Sequence, residues 1–543
     1  MERGMNPRNL RKNQSGAFDL PSILIGVAVV AILAVGVMAA VFGVIPWAQD
    51  RATKQDLAAI TTSQGASYAH SGSFTDKAAL VGAGWLGDDT PADLDARADA
   101  DGKCYVAITT SKTGQKFIVS SDKPTPRTVT SSDTWCNGTR IIRDTSPVMI
   151  TTWNTGLDPR CQEITLPLGG SLDGSVTWGD GTKDSKTSHV FAAAGEVTIR
   201  IDGKFSRWGG IREVWTDSVC LVSVDRWGET GTRDLSEAFR EANNLKHVEE
   251  IPSSATNMSE AFYLVQSDFT IGRLDTSNVT DMRRMFAGAK TFNQPVNFDT
   301  ANVTDMNSMF QNAEAFNQPV NFDTAKVTGM HMMFYNSYAF NQPVNFDTAK
   351  VTIMENMFYN ARAFNKPVNF DTRNVGSLGS MFWGARAFNQ PVNFDAPNIT
   401  TATYMFADAT SFNQPVTLSH TTKLTNTAAM FYGARAFNQT VTIDTSNVTA
   451  MGYMFSDARA FNQPVNLDTS SATAMNYMFE MAYAFNQPLK FDTSKVKTMD
   501  NMFDSAEAYN QDLSAWDVRM VETHMSFDSY VTRWTLPRPP WVR

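Results

Sequence analysis

Histidine is scarce in this chain. Six residues, His70, His189, His247, His331, His420 and His524, are scattered over 543 positions, with no HExxH pair, GxSxG elbow, P-loop or GxGxxG run. Their absence removes the usual constellations of metalloprotease, serine-hydrolase and nucleotide chemistry, so the chain reads as no enzyme, with no cofactor and no metal. Cysteine is as rare: Cys104, Cys136, Cys161 and Cys220, at no zinc spacing. A basic excess is missing too, since 46 Lys and Arg face 55 Asp and Glu for a net charge of -9. Without a positive field to draw phosphate backbones, nucleic acid is not expected as a partner.

Charge is missing altogether from residues 20–49, and the run from Leu20 to Ile45 is long enough to cross a bilayer core of about 30 Å as a helix. A transmembrane helix is expected over residues 17–48. Arg3, Arg8, Arg11 and Lys12 outnumber Glu2 and Asp19 ahead of it, which predicts a single-pass protein at the cell membrane with the C-terminal bulk outside. The basic stretch, small residue and uninterrupted apolar helix resemble a type IV pilin precursor. On that resemblance residues 1–16 are a leader cut between Gly16 and Ala17, residues 49–145 form a pilin-like α+β unit, and the implied partners are a prepilin peptidase and other pilin-like subunits. One departure stands out: the fifth mature position holds Pro21 rather than glutamate, and the nearest carboxylate is Asp19.

Outside the cell an even cysteine count predicts two disulfides, most economically Cys104 with Cys136 and Cys161 with Cys220, among three possible pairings. Residues 146–218 alternate apolar and polar side chains between turn signals and predict a small β-sandwich. The WGDGT turn followed by HVFAAAGEVTIRI resembles PKD-like spacer modules. Gly179-Asp180-Gly181-Thr182 reads as turn chemistry, since a calcium loop needs alternating oxygen ligands that are not there.

What the chain has in abundance is repetition. An aromatic-Asn pair restarts at Phe292, Phe316, Phe340, Phe364, Phe388, Phe412, Phe437, Phe461, Phe485 and Tyr509, a period of 24 residues with one copy of 25. Such a period marks a stack of units that bury their apolar faces only against neighbours. Within a copy, Val296 and Phe298 alternate like a strand, while Val303, Met306, Met309, Phe310 and Ala313 are spaced like a helical stripe. One strand and one helix per copy predict an α/β leucine-rich-repeat-type solenoid with a parallel sheet over residues 219–530. Degenerate copies precede the regular ones, and the tail 531–543 is an end cap or a loose extension. The FNQPV and NVTDMxxMF motifs resemble the BspA-like leucine-rich repeat family of bacterial surface proteins, and that resemblance implies surface display and adhesion.

The most regular residues are expected to build the array. Asn293, Asn317, Asn341, Asn365, Asn389, Asn413, Asn438, Asn462, Asn486 and Asn510 predict a buried amide ladder between coils. The Asp column from Asp299 to Asp492 and the Asn-Val-Thr triplets at Asn278, Asn302 and Asn447 read as local caps. Methionine fills core. Just after the core Phe, Tyr335, Tyr359 and Trp383, with Tyr432 farther on, form an aromatic row suited to a protein or glycan ligand. The alternative to adhesion is a minor pilin or pilus-tip subunit.

Overall fold

In the coil that opens at Phe292, backbone N–H groups alternate between two directions. Those of Met306, Ser308, Phe310 and Asn312 donate forward to the carbonyls of Gly329, His331, Met333 and Tyr335 in the next coil, at 2.7–3.2 Å. Those of Met309, Gln311 and Ala313 donate back three residues, to Met306, Ser308 and Phe310, at 3.0–3.2 Å. The N–H of Asn307 goes to Asp305 Oδ1 at 2.9 Å, so no donor in this stretch is wasted. The alternation depends on left-handed backbone at Ser308 (φ 57°) and Asn312 (φ 56°).

These bonds come from a computed structural model that describes residues 51–71, 80, 95–98, 105–110, 116–121, 127–128, 135–136, 139–140 and 146–541 without 211–214 and 273. The chain divides into two compact units, 1–145 and 146–543.

In the first unit, α1 (Arg51–Ser71) is followed by the antiparallel sheet β1 (Asp95–Ala98), β2 (Tyr105–Thr110), β3 (Lys116–Ser120) and β4 (Arg127–Thr128). Leu57 and Ile60 of α1 share a core with Ala107, Phe117 and Val119. A short hairpin pairs β5 (Trp135–Cys136) with β6 (Thr139–Arg140).

The second unit opens with β7 (Val148–Asn154), β8 (Glu163–Thr165), β9 (Leu168–Gly169), β10 (Asp173–Thr177), β11 (Lys183–Asp184), β12 (Ser188–Val190), β13 (Glu196–Lys204), β14 (Arg207–Trp208), β15 (Leu221–Arg226), β16 (His247–Val248) and β17 (Thr270–Ile271). A seven-stranded sheet runs β11-β10-β13-β7-β15-β16-β17. Pairing is antiparallel as far as β15 and parallel from β15 to β16 and β17, so this sheet changes from hairpin to stacked-coil topology at Leu221–Arg226. The Asp-Gly turn joins β10 and β11, with the Thr182 N–H on Asp180 Oδ1 at 2.9 Å. A disulfide links Cys161 to Cys220, just ahead of β15.

The coils stack as an open array, without closing on themselves. Strands β18 (Val392–Asp395), β19 (Val416–Ser419) and β20 (Val441–Ile443) pair in parallel, Val392 beside Val416 beside Val441. Two phenylalanine columns fill the interior. From Phe286 through Phe310 to Phe503 the rings stack at 5.5–5.7 Å. From Phe292 through Phe316 to Tyr509 they stack at 5.6–6.1 Å. One continuous core runs from Met149 to Trp534.

The expected fold class is therefore corrected. The described residues are mostly β, with one complete α-helix of 21 residues, and none of the copies contains a helix. The three-step spacing belongs to a ribbon of turns whose bonds span three residues, and such a ribbon returns side chains to one face as a helix does. The leucine-rich-repeat solenoid of strands and helices gives way to this ribbon. No helix among the described residues is long and apolar enough to cross a membrane, which stands against the single-pass assignment at the cell membrane. The apolar run at 17–48, the leader and Gly16 with Ala17 lie outside the described residues, as does Cys104 with its expected bond to Cys136. The pilin-like α+β unit expected over 49–145 is corrected too: its described residues are α1, a four-stranded antiparallel sheet and a short hairpin, with no membrane-length apolar helix among them.

Candidate functional site

The regular polar residues tie coil to coil. Each Asn of the ladder accepts at Oδ1 from the backbone N–H of the next one, from Asn293–Asn317 to Asn486–Asn510, at 2.9–3.0 Å. Asn293 is exposed and the rest are half-buried, so the column lines the edge of the core rather than its interior. Sequence reasoning missed a second ladder: buried Thr300, Thr324, Thr348, Thr372, Thr421, Thr445, Thr469 and Thr493 donate Oγ1 to a carbonyl of the following coil at 2.7–3.0 Å. Its signal was the Asp-Thr pair that closes most strand positions; Asp395 is followed by Ala396, and Thr421 by contrast follows His420.

The Asp column makes local turns. Asp299, Asp323, Asp347, Asp371, Asp444, Asp468 and Asp492 each accept at Oδ1 from the N–H two residues on, at 2.9–3.1 Å. The neighbouring Asn residues do not cap helices. Asn278, Asn302, Asn374, Asn398 and Asn447 send Nδ2 back to a carbonyl of the preceding coil at 2.7–2.9 Å. Among the described residues no three His, Cys, Asp or Glu gather as a metal site would need.

With those residues engaged in building, the surface is left to positions where copies differ. The outward strand positions Asn297, Asn321, Asn345, Asn369, Asn393, Thr442 and Asn466 are exposed and Thr417 is half-buried, a polar face that carries exposed Lys490 at the same position and carboxylates such as Asp299 and Asp395 two residues on. On the turn face, Tyr335 stacks on Tyr359 at 4.4 Å and 9°, and Trp383 tilts against Tyr359 at 5.2 Å and 55°. The row continues where sequence reasoning did not follow it, because Trp383 stacks on Tyr404 at 4.5 Å. Tyr404 lies two residues before its core Phe, on left-handed backbone (φ 55°), and so reaches the row from another position in its coil. Tyr453 and Tyr477 hold that same position and stack on each other at 4.4 Å. Tyr432 stacks on no other ring among the described residues.

Self-stacking uses ring faces, so the row presents mainly edges and hydroxyls. Carboxylates border it. Trp383 Nε1 donates to Asp408 Oδ2 at 3.2 Å, Asp457 holds Arg435 and Arg459, and Ser456 Oγ donates to Glu480 at 2.9 Å. Burial raises the Glu480 carboxyl above its ordinary range, with Asp504 and Asp457 adding to the effect. Burial raises the phenols of Tyr359, Tyr432 and Tyr453 as well, so these hydroxyls stay neutral donors and acceptors.

The family described as Mycoplasma protein of unknown function, DUF285, matches residues 256–369, 344–443 and 440–533, the stretch occupied by the stacked coils. No curated protein and no solved structure matches the chain.

Proposed function

From the premise that the chain belongs to the DUF285 family, we propose that its coil stack is a surface-associated, adhesive scaffold that recognises a protein or glycan on another surface, and that it binds rather than catalyses. The FNQPV and NVTDMxxMF motifs resemble those of BspA-like surface proteins, which supports the same reading. The observation that carries it is the Tyr335–Tyr359–Trp383–Tyr404 row. Four consecutive coils place aromatic edges side by side, flanked by the Asp408 carboxylate, on backbone fixed by ladders on every side. A rigid aromatic patch with polar rims is the usual anchor of a recognition surface, since little side-chain entropy is lost on contact.

The net charge of -9 favours neutral or basic partners over nucleic acid. The test is a screen of the whole protein against immobilised glycans and matrix proteins, repeated with Tyr335, Tyr359 and Trp383 all changed to Ser. Loss of a hit in the triple variant, with the fold intact by circular dichroism, supports the assignment. A hit that survives unchanged makes the row a shield over the turns and moves recognition to another face.

A further inference from the structure

The forward-donating rail runs off the end of the array. In the coil before the last, Met499, Asn501, Phe503 and Ser505 give their N–H groups to the carbonyls of Thr523, Met525, Phe527 and Ser529 at 2.8–2.9 Å. One coil on, the same positions are His524, Ser526, Asp528 and Tyr530. Ser526 (φ 53°) and Tyr530 (φ 63°) keep the left-handed backbone of Asn501 and Ser505, so the ribbon is intact. Yet among the described residues nothing accepts from these four N–H groups.

After Tyr530 the chain turns aside instead of adding a coil. Trp534 packs edge-on against Tyr509 at 4.8 Å and Phe503 at 5.4 Å, which covers the phenylalanine columns. The donor rail is left beside a cleft of about 600 Å³ lined by residues 522–528 and Trp541. Trp541 stacks on His524 at 4.1 Å as one wall, Met525 lines the cleft at 71% exposed, and Tyr530, two residues past Asp528, is 79% exposed.

We propose that this end of the array is a peptide-docking edge, which takes a segment of a partner protein by pairing its alternate carbonyl oxygens with the N–H groups of His524, Ser526, Asp528 and Tyr530. The edge offers only donors, because the carbonyls of Thr523, Met525, Phe527 and Ser529 already serve the preceding coil. A second copy meeting it end to end would set donors against donors. A head-to-tail copy would need free carbonyls at the start of the array, where the Asp234 carbonyl accepts from the Trp208 N–H at 3.1 Å and the Gly209 backbone lies tight against the Ser236 carbonyl and Ala238. An anion would have to take a cation from its partner, since Arg538 is held by Asp528 at 2.8 Å and Lys497 by Glu522 at 3.2 Å, while Asp500 accepts at Oδ1 from the Met525 N–H. Neutral peptide carbonyls fit, with apolar side chains on Met525, Tyr530 and Trp541, in the manner of a strand added to an open sheet edge.

Amide exchange on the full chain tests the premise: His524, Ser526, Asp528 and Tyr530 should exchange at least about 100-fold faster than Met499, Asn501, Phe503 and Ser505. A displayed library of random peptides of about twelve residues is then panned on the full chain and on a Met525→Asp, Tyr530→Asp variant. Selected peptides should slow exchange at the four amides by about tenfold or more and should lose binding to the variant, whose Phe503 amide stays as protected as in the parent. Slow exchange at the four amides without peptide overturns the proposal, as does a library that yields no binder, or binders that protect amides elsewhere.

Discussion

The backbone N–H of Asn389 donates to Asn365 Oδ1 at 3.0 Å, while Asn389 Oδ1 accepts from the N–H of Asn413 at 2.9 Å. A single residue thus joins three coils, its backbone to the one before and its side chain to the one after. Asn389→Leu leaves the Asn413 N–H without its acceptor at a half-buried site. An unmade bond of this kind costs about 1–3 kcal/mol, and partial access to water places the expected loss near about 1–2 kcal/mol. Urea unfolding of the variant should show a lower midpoint with an unchanged slope. A midpoint equal to that of the parent would mean that water replaces the ladder at no cost.

Thr372 sits deeper, 1% exposed, and its Oγ1 donates to the Asp395 carbonyl at 2.7 Å. Thr372→Val keeps the shape and removes only the donor, so a loss of about 1 kcal/mol is expected, with Thr372→Ser retaining most of the bond. If valine and serine prove equally tolerated in the same unfolding assay, the hydroxyl ladder contributes nothing beyond packing.

The stacking of this chain was legible in its sequence and its local conformation was not. A period of 24 with aromatic, Val and Met positions fixed the stacking and the interior, because burial against identical neighbours constrains those side chains. The helix was misread because the i to i−3 bonds of a turn ribbon give the same spacing as a helical stripe. A contrary signal stood two residues past the core Phe, where Asn312, Asn336, Asn360, Gly384, Asp408, Gly433 and Asp457 form a column of residues that tolerate left-handed backbone and suit helix interiors poorly. Tyr404, Tyr453 and Tyr477, three residues before the position that Tyr335 holds, were legible even on a helical wheel, which sets the two positions about 60° apart on one face.

The bond between Cys161 and Cys220 closes a loop of 59 residues across the start of the array. Loop-closure entropy for that length corresponds to about 4 kcal/mol, and the measured cost of losing such a bond is commonly about 2–5 kcal/mol. Cys161→Ala with Cys220→Ala should lower the unfolding midpoint of the second unit, and dithiothreitol should reproduce the effect in the parent but not in the variant. Equal midpoints with and without reductant in the parent would show that the bond adds no stability.

His247 lies on β16 with Nε2 at 2.7 Å from Glu249 Oε2 and Nδ1 at 2.6 Å from Thr270 Oγ1. The Glu249 carboxylate raises the imidazole above its ordinary value of 6.5. A pKa raised by folding adds stability that is complete below the ordinary value and lost as pH climbs through the folded one. Stability should therefore decline as pH rises from about 6 through the folded pKa, and His247→Gln should flatten that slope. A proton resonance of His247 that titrates at or below the ordinary value would refute the pairing.

Met481 and Gly384 hold equivalent places in their coils with φ of 52° and 67°, and opposite outcomes are expected on changing them. A side chain at positive φ strains the backbone by roughly 1 kcal/mol, whereas glycine takes that conformation freely. Met481 is 38% exposed, so Met481→Gly loses modest packing while relieving the strain, and its stability should match or exceed that of the parent by up to about 1 kcal/mol. Gly384→Ala gains the strain and also puts its Cβ 2.1 Å from Asn360 Oδ1, in the coil behind. That carboxamide donates Nδ2 to Asn336 Oδ1 at 3.1 Å and must swing aside, so a loss of about 1–2 kcal/mol is expected. Guanidinium unfolding of both variants beside the parent decides the point. Should Gly384→Ala be neutral and Met481→Gly damaging, the left-handed positions would not be what holds each turn ribbon open to the next coil.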